Sequence, residues 1–179
     1  MKKLIFYLLV FCCLIQKAFP QSSLRWFVPI APGIQTDIPN GEAILGMSLG
    51  VGVDFSGQPN RWQLTLDIAK YSTQDLNELS YHGFKSWTSS IKFGRMWETG
   101  IAISGNKLHL GAGGLVISSL QSNVAPGLGN TVSYPGGGIY GRAFYPILHK
   151  GNRLMLMFEP SLFGEGFWRN QLGMVYYFK

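Results

Sequence analysis

The chain has 179 residues, 46% hydrophobic, 14% aromatic and 13% charged, with 23 glycines and a formal net charge of +6. Its two cysteines, Cys12 and Cys13, lie in an N-terminal segment of signal-peptide character, so the remainder holds no disulfide, zinc–thiolate site or cysteine nucleophile. No run of basic residues is interleaved with aromatics, which argues against nucleic-acid binding.

Residues 1–20 combine a basic start, "MKK", with an apolar run from Leu4 to Ile15 and a cleavage region in "QKAFPQ". That run is too short for a membrane-spanning helix, which needs about 20 apolar residues, so a cleaved secretory signal is expected. Lipid anchoring through Cys12 or Cys13 is disfavoured, because Phe11 and Cys12 stand where a lipid-attachment signal has a small residue. Losing the first 20 of 179 residues leaves 159, and losing Lys2, Lys3 and Lys17 brings the charge from +6 to +3. Residues 21–179 suit a single domain.

The first strand signal, "LRWFVPI" at 24–30, is weak because Pro29 and Pro32 interrupt it, and 31–42 reads as a long connection. In 43–55, Leu45, Met47, Leu49, Val51, Val53 and Phe55 alternate with Gly46, Ser48, Gly50, Gly52 and Asp54. After the turn "SGQPN", Trp62, Leu64, Leu66 and Ile68 alternate with Gln63, Thr65, Asp67 and Ala69. Each stretch has the ~9–11 residues with which a tilted strand crosses a bilayer.

A long connection at 72–84 leads to a strand at 85–103, longer than a crossing requires. Strict alternation there puts Arg95 on the lipid face, where a mid-membrane arginine costs about 2–4 kcal/mol. Either a bulge at Gly94 turns it inward, or it lies near the headgroups. Strands at 107–120, 134–148, 153–163 and 168–178 follow, separated by "SGNK", 121–133, "HKGN" and "GEG".

Eight strands with alternating short and long connections predict an all-β fold: a closed antiparallel up-and-down transmembrane β-barrel with both termini periplasmic. The exception to the alternation is "GEG" at 164–166, a tight turn where a long loop is allowed but not required. The polar faces then line a lumen that eight strands leave just wide enough for side chains. Its expected polar network comprises Asp54, Asp67, Lys92, Glu98, Lys107, His109, Arg142 and Glu159, with Gln63 and Gln171 beside them. Trp62, Trp87, Trp168, Tyr145, Tyr176 and Phe178 read as interfacial girdles.

The final strand, "QLGMVYYFK", carries a polar residue, a glycine two places on, and two aromatics separated by one residue. Gln171, Gly173, Tyr176 and Phe178 thereby resemble the last strand of bacterial outer-membrane β-barrels, although Lys179 follows the aromatic on which that pattern more often ends. The resemblance extends over 21–179 to the small eight-stranded barrels, such as the membrane domain of outer-membrane protein A and outer-membrane protein X. It implies a Gram-negative outer-membrane location, surrounding outer-membrane lipid, and recognition of the last strand by the barrel-assembly machinery.

Chemistry beyond that frame is sparse. Some small outer-membrane barrels modify lipid A with a serine, a histidine and an acid, and Glu78, Ser80 and His82 are the nearest set here. Their spacing does not match the known deacylases. Three scattered histidines, His82, His109 and His149, make no metal site. "GLGN" and "PGGGIYG" lack the strand–loop–helix context of a phosphate loop. The expectation is therefore a non-enzymatic outer-membrane barrel without cofactor, structural or interacting at the surface through 31–42, 72–84 and 121–133. The leading rival is a lipid A-modifying outer-membrane barrel enzyme, and a third reading is a secreted soluble barrel holding a small apolar ligand, which requires the leucine-rich faces to point inward.

Overall fold

The computed structural model describes residues 24–37, 42–55, 60–72, 84–123, 131–147, 154–164 and 166–178. Eight strands follow one another: β1 Arg25–Asp37, β2 Glu42–Phe55, β3 Asn60–Ser72, β4 Phe84–Ile103, β5 Asn106–Asn123, β6 Thr131–Pro146, β7 Leu154–Phe163 and β8 Phe167–Tyr177. Each pairs antiparallel with its sequence neighbours, and β1 pairs with β8. The result is the closed up-and-down barrel that the alternation predicts. The signal segment lies outside the described residues.

The first connection differs from its expectation. β1 runs on through Pro29 and Pro32 to Asp37, which pairs with Glu42, so most of 31–42 is strand and not loop. The physical reason lies in the ladder. The β1–β2 pairs skip Val28 and Pro29, whereas the β1–β8 pairs skip Ala31 and Pro32. Residues of opposite parity direct their backbone groups to opposite neighbours, so each proline removes a donor from a different side. Neither ladder loses two donors in succession.

β4 is continuous through Gly94, which pairs with Gln63 and Gly113, so no bulge turns Arg95 inward. The irregularity falls lower, between Glu98 and Ala102. There β4 enters a two-residue hairpin in which Ser104 and Gly105 have φ of 50° and 80°. Positive φ at both central residues matches the right-handed twist of the strands they join.

The period of two sorts side chains between lipid-facing and inward surfaces. Leu45, Met47, Leu49, Ile68, Ile91, Phe93, Val116, Ile139, Leu172 and Met174 are exposed on the outside, while Ser48, Asp54, Gln63, Asp67, Lys92, Arg142 and Glu159 are buried. This is the reverse of the arrangement that a soluble carrier requires. Val53 departs from the pattern: it shares parity with Leu45 and Met47 yet is buried.

Closure depends on a close approach at the β1–β8 seam. A Cβ on Gly173 would run into the carbonyl oxygen of Ile30 and the Cα of Ala31, both backbone atoms that cannot rotate away. Gly52 has a different reason, since a Cβ there would enter the ring of Phe27. Gly173→Ala is expected to cost about 1–3 kcal/mol through overpacking. The check is the urea midpoint of the vesicle-inserted barrel by tryptophan fluorescence. An unchanged midpoint would show that the seam has room.

Candidate functional site

The lumen holds most of the protein's buried polar chemistry. Apolar side chains gather at its two ends. Phe27, Met96, Phe144, Met155, Met157, Val175 and Tyr177 cluster at the short-turn end, with Leu115, Ile117, Tyr140 and Phe163 toward the other. Between and beside them runs a connected chain of charged and amide groups drawn from β2 to β7.

It begins at Asp67 on β3, which accepts hydrogen bonds from Ser90 Oγ and, at 2.7 Å, from Lys92 Nζ on β4. The same ammonium donates to Glu159 Oε1 on β7. Arg142 on β6 closes on Glu159 through Nε at 2.6 Å and through a second ion-pair contact from NH2. Its NH1 donates to Gln63 Oε1 and Thr65 Oγ1, both at 3.1 Å. Gln63 then donates to Asp54 Oδ1 at 2.6 Å, and Arg61 to Asp54 Oδ2 at 3.0 Å. Arg61 NH2 lies 3.3 Å from His109 Nδ1, completing the chain.

The network is electrically balanced: three carboxylates, Asp54, Asp67 and Glu159, face three cations, Arg61, Lys92 and Arg142. Burial makes that balance necessary, because an unpaired ion in a low-dielectric interior is far costlier than a paired one. Glu159 is 0% exposed, Lys92 2% and Arg142 3%, so almost none of this layer's surface is open to water.

Of the expected network residues, Asp54, Asp67, Lys92, His109, Arg142 and Glu159 come together. Glu98 and Lys107 form a separate, exposed pair at 2.5 Å on the short-turn rim. The hydrogen bond from Lys107 holds the Glu98 carboxyl below its usual range. Glu78, Ser80 and His82 lie outside the described residues, as does His149.

Two buried arginines escape a reading by segments. Arg61 stands one residue before the apolar stretch that begins at Trp62, yet its parity with Gln63 points it inward. Arg169 shares parity with Gln171 at the outer end of the last strand. No described carboxylate pairs with it. It donates to Gln35 Oε1 at 2.8 Å and Thr88 Oγ1 at 3.1 Å, and its guanidinium carbon lies 4.7 Å from the Tyr71 ring and 4.8 Å from that of Phe163. Cation–π contacts are strengthened by desolvation, which suits a buried guanidinium without an acid.

The residues of the terminal pattern divide between the faces. Gln171 donates to Ser48 Oγ at 2.7 Å and to Tyr71 OH at 3.2 Å inside the lumen. Tyr176 and Phe178 are 43% and 48% exposed on the outside and meet edge-to-face.

No protein-family model and no curated protein matches the sequence. Among solved structures, Neisserial surface protein A aligns with a TM-score of 0.58 at 14% identity, covering 88% of this chain and 97% of that one. Ail, the attachment invasion locus protein of Yersinia pestis, aligns with a TM-score of 0.50 at 8% identity, covering 87% and 99%. The fold is that of the small eight-stranded outer-membrane barrels. At these identities the likeness concerns backbone architecture, and the barrel's lumen chemistry must be judged on its own residues.

That chemistry ranks the ion pairs. Glu159→Leu strands Lys92 and Arg142 without their shared carboxylate and is expected to cost about 3–5 kcal/mol. Glu98→Gln, at the exposed rim, is expected to cost under about 1 kcal/mol. Urea unfolding of both variants in the same vesicles checks the ranking, and equal losses would contradict it.

Proposed function

We propose that the protein is an integral outer-membrane barrel of a Gram-negative bacterium, exported after removal of residues 1–20, with a non-enzymatic structural or surface-interaction role. The observation that carries this reading is the pairing of a continuous apolar exterior with a closed charged interior. A solute pore needs a wet lumen, whereas the layer of Glu159, Lys92 and Arg142 is sealed by its own ion pairs.

Strand length supports a role on the outer side. β6 continues from Gly137 up to Thr131 beyond the level at which β7 ends, since Gly138 is the partner of Phe163. Seven further residues at ~3.3 Å each lift that wall by roughly 23 Å along the strand. The connections at 73–83 and 124–130, within the expected surface segments 72–84 and 121–133, lead into β4 and from β5 into β6, the tall strands. The first of the three expected surface segments reduces to 38–41. A surface role also agrees with the names of the two structural neighbours, one a surface protein and the other an attachment invasion locus protein.

Delivery is proposed to use the barrel-assembly machinery, which would read β8 through Gln171, Gly173, Tyr176 and Phe178. The outward pair Tyr176 and Phe178 is available to a partner before lipid covers it.

The native protein is expected to stay in the membrane fraction through alkaline extraction and to migrate differently on gels with and without boiling. It is expected to give no porin-sized current steps in planar bilayers. Extraction into the soluble fraction, or a stable wide pore, would overturn the reading. For delivery, Phe178→Ala is expected to insert into vesicles in vitro as the native chain does, but to reach the outer membrane of cells in markedly lower amount. Equal cellular amounts would remove Phe178 from the signal.

A further inference from the structure

We propose that the outer surface of β3 to β6, near the periplasmic end, binds one glycerophospholipid of the periplasmic leaflet. Its phosphate would sit on Arg95, and one acyl chain would lie along a furrow of small residues on β5 and β6. The inference rests on the membrane reading above and adds a site to it.

Arg95 points outward by register, between Phe93 above and Trp97 below, with Trp62 and Ala112 as its cross-strand partners. Its guanidinium carbon lies 5.9 Å from the Trp62 ring centroid. Trp62 stacks on Phe93 at 5.2 Å and 12°, and Phe93 on Phe55 at 6.1 Å, so the cation rests against an aromatic shelf. No described carboxylate pairs with it. Its Nε is covered and makes no hydrogen bond, while the residue as a whole stays partly exposed.

A ring face attracts the charge but does not replace the acceptors that a guanidinium loses on leaving water. At the level of a girdle the surroundings can supply them as lipid phosphate. The planar fork of arginine matches a phosphate bidentately, at roughly twice the strength of a neutral hydrogen bond.

The surface beside Arg95 gives the occupant its second half. Along the same row lie Ala112 and Gly141, and toward the bilayer middle come the outward Gly114 and Gly137. A Cβ on Gly114 would find only the Gly138 carbonyl oxygen, at 3.9 Å, and one on Gly137 only that of Leu115, at 3.8 Å. Three inward glycines of the same strands behave differently: at Gly111, Gly113 and Gly138 a Cβ would collide with Met96, Phe93 and Leu162 respectively. Packing therefore accounts for those three, whereas Gly114 and Gly137 on the outside, like Gly136 on the inside, have room for a side chain. Gly114 and Gly137 stand on neighbouring strands in adjacent rows, so the surface is low along a diagonal between the projecting side chains of Phe93, Val116 and Ile139, and this furrow leads from beside the cation toward the hydrocarbon. A headgroup anion joined to an apolar chain fits that sequence of surfaces.

Native mass spectrometry of the full chain, folded in nonionic detergent with dioleoylphosphatidylglycerol or dioleoylglycerol, tests the site. The native protein is expected to retain one phosphatidylglycerol and to release dioleoylglycerol. Arg95→Gln is expected to lower retention about tenfold or more. Gly114→Leu, for which the backbone has room, is expected to lower it with Arg95 intact. Retention unchanged in Arg95→Gln, or equal retention of the two lipids by the native chain, would overturn the phosphate site. Retention unchanged in Gly114→Leu would overturn the furrow. Both variants are expected to keep the heat-dependent gel shift, which reports folding. A native chain without that shift would instead overturn the barrel reading, so the two failures are read apart.

Discussion

The constraint on which this structure rests is the pairing of β1 with β8. Hydrocarbon offers no partner for a backbone N–H or C=O, and each one left open costs several kcal/mol, so a sheet can cross a bilayer only if its first and last strands meet. Here they meet along Phe27–Tyr177 to Asp37–Phe167. That β1 contains two prolines makes the seam more demanding, because each removes a donor. Placing them three residues apart, at opposite parity, divides the loss between β2 and β8. The seam also needs Gly173, because the Ile30–Ala31 backbone lies where any side chain at that position would go.

Once the ring is closed, the period of two dictates the rest. Every strand gives one face to lipid and one to a lumen too narrow for much besides side chains. Polar residues on the second face must therefore satisfy one another. The chain from Ser90 to His109 does so with equal numbers of acids and bases. Replacing such a network with apolar groups is often neutral or even stabilising in other proteins, whereas removing one member strands a charge. The value of this arrangement is thus tied to completeness. Arg169 shows the alternative solution, in which two aromatic rings and two neutral acceptors receive a cation that no described acid balances.

Much of this was legible in the sequence, for a physical reason: in a barrel the environment itself has a period of two, so local alternation reports directly on global position. Leu45 to Leu49 and Trp62 to Ile68 announce both strand and face without reference to any distant residue. Legibility fails where one residue's role is set by another strand. Pro29 and Pro32 look like interruptions locally, and only the opposite sides of their lost donors show how β1 continues. Arg61 and Arg169 stand at strand ends, where parity carries the signal but the apolar pattern that marks a strand has faded. For Arg95 the sequence leaves two readings, a bulge at Gly94 or a place near the headgroups, and the unbroken register at Gly94, with the irregularity beyond Glu98, removes the first.

The terminal strand joins these arguments. Gln171 and Gly173 have reasons in the finished barrel: one binds Ser48 and Tyr71 across the lumen, and the other admits β1. Tyr176 and Phe178 have no comparable internal partner and lie on the outer surface, where an aromatic side chain suits the membrane interface. A pattern that looks like one recognition sequence therefore has two physical origins. Its inward half follows from closure, and any eight-stranded ring with so close a seam needs something similar. Its outward half is less constrained by the barrel's own packing, and is for that reason the half on which recognition by another protein can act without disturbing the fold.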